Sequence, residues 1–259
     1  MRFFIKFQYN GTNYHGWQSQ PNASSIQQTL TQALSTVLNT PITLMGAGRT
    51  DTGVHAKIMY AHFDLSNDSS VGAALAAALN TTTLQTTTHK LNSLLPKDIS
   101  VTQIIKVDNE AHARFDAKKR TYQYHINTQK DPFLEHQSWY YKQPLDLNLM
   151  NQAADILLNH TNFQSFSKVN TDVNTFNCKI TQAHWQQENG NLIFTISADR
   201  FLRNMVRAIV GTLIKVGLKK ITPQDFTAII QSQDRTQAGF SVPAHGLYLT
   251  DIQYDYINP

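Results

Sequence analysis

Phe3, Ile5 and Phe7 alternate with Phe4, Lys6 and Gln8 at the start of the chain. That period of two over residues 2–9 predicts a β-strand with one strongly apolar face, ended by the turn signal Asn10-Gly11. The period then changes. Ile26, Leu30, Ala33, Leu34, Val37 and Leu38 recur at helical spacing, and Ser25 with Gln28 three positions on forms a capping box at the start. The succession returns further along, with a strand over residues 120–128 and a helix over residues 145–158 striped by Met150, Ala153, Ala154, Leu157 and Leu158. Glu188-Asn189-Gly190-Asn191 is a hairpin signal between two strand-like runs. An apolar helix is predicted over residues 202–216, and Thr222-Pro223 supplies the N-cap and first position of another. The threonine-rich residues 81–88 are compositionally biased and predict a loop or a poorly packed turn. Strands, helices and hairpins interleave, so the predicted class is α+β with two related halves, over residues 1–108 and 109–259.

Composition narrows the class further. Hydrophobic residues make up 41% of the 259 positions, with 13 Phe, 10 Tyr and 3 Trp, which excludes a chain too polar to offset its ordering entropy. The longest apolar run, residues 71–79, falls well short of the roughly 20 residues of a membrane-spanning helix. Lys6 stands where a secretory signal places its apolar region, so the expected location is the cytoplasm. The one cysteine, Cys178, permits no intramolecular disulfide and reads as a core filler. With 22 basic and 18 acidic residues the net charge is +4, which permits a nucleic-acid partner without requiring one.

The chemistry concentrates in Gly46-Ala47-Gly48-Arg49-Thr50-Asp51-Thr52-Gly53-Val54-His55-Ala56. Three glycines in eight residues call for a tight backbone or close approach to a ligand. A dinucleotide fingerprint fails because Asp51 occupies its third glycine position, and a phosphate-binding loop fails for want of Gly-Lys-Ser/Thr. Asp51-Thr52-Gly53 spells the triplet of aspartic proteases, but that mechanism needs a second aspartate, and no second triplet exists. His55 and His62 could be metal ligands, yet no third ligand has suitable spacing. Asp51 could equally be a turn residue bonding its own backbone.

This segment and four others resemble the bacterial tRNA pseudouridine synthase A family, which modifies positions 38, 39 and 40 in the anticodon arm of tRNA. The others are residues 9–18, Tyr-Asn-Gly-Thr-Asn-Tyr-His-Gly-Trp-Gln; His112-Ala113-Arg114-Phe115-Asp116-Ala117 with Arg120-Thr121-Tyr122; Phe201-Leu202-Arg203-Asn204-Met205-Val206-Arg207 with Ile209-Val210-Gly211; and Asp234-Arg235 leading to Gly246-Leu247-Tyr248-Leu249. Departures are Asn10 for a usual aspartate, Ala111 for a usual phenylalanine, and the loss of a basic pattern at residues 174–180.

The resemblance implies that Asp51 is the catalytic carboxylate and that Tyr122 lies against the target base. It implies also that Arg49 and Arg207 neighbour the aspartate and that Leu247 helps wall the pocket. It further implies a cofactor-free, metal-free isomerase that binds the tRNA anticodon stem-loop. The protein would be a homodimer, built from two α+β halves around a continuous, mainly antiparallel sheet with flanking helices. A catalytically silent tRNA-binding module of the same fold is the alternative. Arg203 and Arg207, four positions apart, are expected on one side of the apolar helix. Tyr122 would accept a base removed from its stack, a step that costs a few kcal/mol. As a plain strand residue it would instead pack with Tyr124 in the core.

Overall fold

A computed structural model describes residues 1–65, 81–169 and 173–257; the apolar run over residues 71–79 lies outside them. The chain forms two compact units, Met1–Lys118 with Asp251–Pro259 and Lys119–Thr250.

In the first unit, alternation becomes strand β1 (Arg2–Tyr9), followed by helix α1 (Ile26–Leu38), a short β2 (Met45–Gly46) and the long β3 (His55–Asp64). Helix α2 (Thr81–Leu94) and β4 (Ile99–Val107) complete it. β1 is antiparallel to β3 and to β4, with Phe3 opposite Phe63, and β2 adds to β3. Phe3, Ile5 and Phe7 are fully buried, as the alternation predicts. Phe4, on the opposite face, is fully buried too, because the rings of Tyr254 and Tyr256 approach it to 5.4 and 6.1 Å. The first half of β1 is therefore apolar on both faces, where the pattern predicted one. Each such side chain contributes about 1.5–3 kcal/mol of burial.

Residues 81–88 correct a second expectation, since they are helical. Leu84, Thr87 and Leu91 share one side of α2, with Thr87 and Leu91 buried. The hydroxyls of Thr86, Thr87 and Thr88 donate to the carbonyls four residues back at 2.8–3.0 Å, which satisfies groups that otherwise favour turns. Packing of one apolar stripe outweighs a weak local propensity.

The second unit repeats strand then helix: β5 (Lys119–Asn127), a short β6 (Trp139–Tyr140) and α3 (Leu147–Ile156). Then come β7 (Ile180–Glu188), β8 (Asn191–Ala198), α4 (Met205–Gly217) and α5 (Pro223–Ser232). β8 is antiparallel to both β5 and β7, while β6 runs parallel to β5. Asn189 and Gly190 turn the hairpin with φ of 49° and 81°, a backbone that L residues other than asparagine rarely adopt. Helix α3 packs on β7, α4 and α5. Strand β9 (Leu247–Gln253) carries the chain from the second unit back into the first.

The class is α+β, with mainly antiparallel pairing and five α-helices among the described residues. None of those helices is long and apolar enough to cross a membrane. Cys178 is buried, and burial pushes its thiol up to about 12, as suits a filler.

Candidate active site

The glycine-rich loop joins β2 to β3, and its backbone is held by the turn that follows β1. Trp17 donates its N–H to the Thr50 carbonyl at 3.3 Å, Gly53 donates to Tyr14 at 3.3 Å, and Val54 closes a turn onto the Asp51 carbonyl at 3.1 Å. The Tyr9 and Thr50 hydroxyls bond at 2.8 Å. Glycines make this approach possible. A Cβ on Gly11 would strike the Val54 carbonyl, and one on Gly16, whose φ is +86°, would strike the Thr50 carbonyl and lie 3.1 Å from the Asp51 carbonyl carbon. The Asn-Gly-Thr-Asn-Tyr-His-Gly segment is thus a buttress for the loop that presents Asp51.

The buttress is itself anchored. Tyr14 donates its hydroxyl to Asp98 at 2.7 Å, and burial followed by this bond raises the phenol above its ordinary range. Asn10 accepts the Thr12 N–H and hydroxyl through its amide oxygen at 3.0 and 2.6 Å. An aspartate would make the same turn, so this departure from the family pattern keeps its local role. Asp51 ends half-buried and Arg49 exposed, both in the first unit.

His55 and His62 have structural work. His55 Nδ1 accepts the Gly11 N–H at 3.0 Å and His62 Nδ1 accepts the Ala113 N–H at 3.2 Å, so each ring pins a backbone segment to β3. Among the described residues no group of three His, Cys, Asp or Glu could hold a metal ion.

Tyr122, Arg207 and Leu247 belong to the second unit. Tyr122 lies on β5 and is half-buried, with its ring edge-on to Phe201 at 5.1 Å. Tyr124, two positions on, is fully buried and donates to the Pro243 carbonyl at 2.9 Å. The core reading therefore fits Tyr124 and not Tyr122. Leu247 opens β9 and is 6% exposed.

Arg207 projects from the first turn of α4, where Nε donates to the Val242 carbonyl at 2.7 Å and the Arg207 carbonyl accepts the Val242 N–H at 3.3 Å. The segment bearing Val242 is clamped to the helix. A Cβ on Gly211 would strike the Phe240 carbonyl, and Gly239 donates to the Thr212 hydroxyl at 2.8 Å. Arg235 donates to the Gly239 carbonyl and the Ser241 hydroxyl at 3.0 and 3.1 Å, which accounts for Gly211 and Arg235 in the sequence pattern.

Arg203 corrects another expectation. The helix begins at Met205, after Asn204 at φ 67° and ψ 2°, so Arg203 precedes it and shares no helical face with Arg207. Asn204 holds the left-handed turn by donating its amide to Ser241 at 2.6 Å. Thr50, Phe201, Ser241 and Val242 contact the candidate residues or the segments that carry them, and none of the four has a role assigned to it from the sequence alone.

The family described as tRNA pseudouridine synthase matches residues 5–116 and 153–255. The tRNA pseudouridine synthase A of Porphyromonas gingivalis is 51% identical over 255 residues, covering 98% of this chain and 97% of that protein. The enzyme of the same name from Bacteroides fragilis is 49% identical, covering 98% and 96%. A more distant one, from Caldicellulosiruptor bescii, is 35% identical, covering 96% and 98%. With relatives alike from end to end and a family match over most of its length, the chain belongs to the tRNA pseudouridine synthase family.

Proposed function

We propose that this chain isomerises uridine to pseudouridine in tRNA, at positions 38, 39 and 40 of the anticodon stem-loop. Pseudouridine synthases are isomerases. The reaction breaks the N1–C1′ bond, turns the uracil while it stays bound, and forms C5–C1′, with the C5 proton lost and N1 protonated. No redox change or group donor is needed, so the proposed enzyme uses neither cofactor nor metal.

The observation that carries this reading is the fixed presentation of Asp51, the one carboxylate of the loop, on a backbone bonded from Trp17 and Val54. In the proposal the N-terminal half supplies that carboxylate with Arg49. The C-terminal half supplies Tyr122 to receive the flipped base, Arg207 as counter-charge to Asp51, and Leu247 as an apolar wall. A clamped guanidinium loses less freedom on meeting an anion than a mobile one, which suits Arg207. The proposal also takes the enzyme to be a cytoplasmic homodimer, which would double a net charge of +4 per chain in the field that attracts RNA.

The test is tritium release from unmodified tRNA labelled at uridine C5, with purified protein and no added cofactor. Release from wild type and loss of release in Asp51→Ala by at least 1000-fold is the expected result. Tight tRNA binding without release from wild type would overturn it in favour of the silent binding module.

A further inference from the structure

The loop between β4 and β5 is bonded from several directions, yet its tip is a solvent-facing aromatic ring. His112 donates its N–H to Asp116 Oδ2 at 2.7 Å, and Asp116 returns its own N–H to the His112 carbonyl at 3.1 Å. His112 Nδ1 accepts the N–H groups of both Arg114 and Phe115 at 3.1 and 3.3 Å. From outside the loop, Tyr254 donates to the Ala113 carbonyl at 2.6 Å, Tyr256 to Asp116 at 2.8 Å, and Arg2 to the Ala111 carbonyl at 2.9 Å. Surface loops are commonly more mobile than the elements they join, whereas this one is tied down at several points. Here those bonds hold a loop whose large apolar side chain is left in solvent: Phe115 is 74% exposed.

The ring ends a ladder that starts in the core. Phe4 stacks on His62 at 6.0 Å, His62 meets His112 at 4.6 Å, and His112 meets Phe115 at 4.3 Å. The Arg114 guanidinium lies 5.6 Å from the centre of the Phe115 ring. An aromatic face fixed beside a cation matches a nucleotide, which offers a base to stack and a phosphate to pair. The open cavity of about 520 Å³ beside the loop does not match one, because Asp108, Glu110 and Asp116 line it against a single Lys106.

We infer that Phe115 and Arg114 form a stacking platform for an unpaired nucleotide of the bound tRNA, distinct from the target uridine. Its distance supports the distinction. β3 leads from His55, next to the Asp51 loop, to His62, which holds this loop. Seven residues of strand span roughly 23 Å. The platform therefore contacts the RNA remotely and acts on affinity and choice of tRNA. The inference rests on the tRNA reading above.

The test measures tRNA affinity in the Asp51→Ala background, so that bound RNA is not converted, with Phe115→Ala and Phe115→Trp added. Loss of one base-stacking contact predicts an affinity about 5- to 150-fold weaker for Phe115→Ala. Phe115→Trp is expected to restore binding and to show indole fluorescence quenched on adding tRNA. Thermal melting close to the parent would show that the loop survives both changes. Unchanged affinity in Phe115→Ala, while wild type releases tritium, overturns the platform and leaves the enzymatic reading standing. A changed oligomeric state with unchanged affinity also overturns it, by making Phe115 a protein contact. Failure of wild type to release tritium would instead strike the reading beneath it.

Discussion

Replacing Gly16 by alanine puts the buttress under test. At φ +86° an L residue is strained by about 1–2 kcal/mol before any collision. Its Cβ would strike the Thr50 carbonyl oxygen and lie 3.1 Å from the Asp51 carbonyl carbon. Ordinary contact returns only if the Thr50–Asp51 peptide retreats by about 1 Å, the scale of misplacement that lowers turnover by about 100-fold. That corresponds to about 2.7 kcal/mol of lost transition-state stabilisation. The Trp17 N–H to Thr50 bond, already 3.3 Å long, gives way first. Tritium release at saturating tRNA reads the loss as a fall in kcat, and thermal unfolding reads the strain as a drop of roughly 2–8 °C. Gly48→Ala is the control for stability, because a Cβ there meets nothing within 4 Å and should melt with the wild type. A Gly16→Ala protein that turns over like wild type would refute the argument that this turn positions Asp51.

Two further outcomes can be measured. Burial, then the charges of His112 and Arg2, lowers the His62 pKa to about 4, so the fold favours its neutral form. The stability that form contributes is complete above the unfolded value near 6.5 and is lost as pH falls toward 4, by about 2 kcal/mol at pH 5. Urea unfolding at pH 7.5 and 5 should show wild type losing that much more than His62→Gln, and equal losses would contradict it. Tyr122→Phe keeps the ring contact with Phe201 and removes only the hydroxyl. A hydroxyl that takes part in proton transfer predicts a fall in kcat of at least about 100-fold with tRNA binding retained, whereas full activity confines Tyr122 to stacking.

What the sequence made legible follows the range of the interactions involved. Helix α1 could be read because its signals are local: Ser25 accepts the Gln28 N–H at 3.2 Å, and the apolar spacing does the rest. Helix α5 is the same case, with Thr222 and Asp225 exchanging bonds across one turn at 3.1 and 2.8 Å. The hairpin at Asn189-Gly190 needs only its own two backbone angles. Helix α2 escaped because its threonines are poor helix formers taken singly, and the buried Leu91 that organises them lies beyond the biased run. The start of α4 escaped for a longer-range reason, since Asn204 is held left-handed by Ser241, 37 positions away.

The candidate site shows the same division. The family resemblance marked Asp51, Arg207 and Tyr122 as candidates, but nothing local says what holds them. Gly11 reads as a turn glycine, yet what excludes a side chain there, and at Gly16, is a carbonyl of the Asp51 loop. Gly211 reads as a weak point in an apolar helix, costing up to about 1 kcal/mol against alanine. That cost is offset by the close approach of Phe240, whose segment carries the Val242 acceptor for Arg207. A glycine that looks unfavourable within its own element is therefore a sign of a neighbour distant in sequence. In this chain two such neighbours are the Asp51 loop and the segment that orients Arg207. Asn10 keeps the acceptor its turn requires, so replacing it with aspartate would add a charge without changing the geometry that supports Asp51.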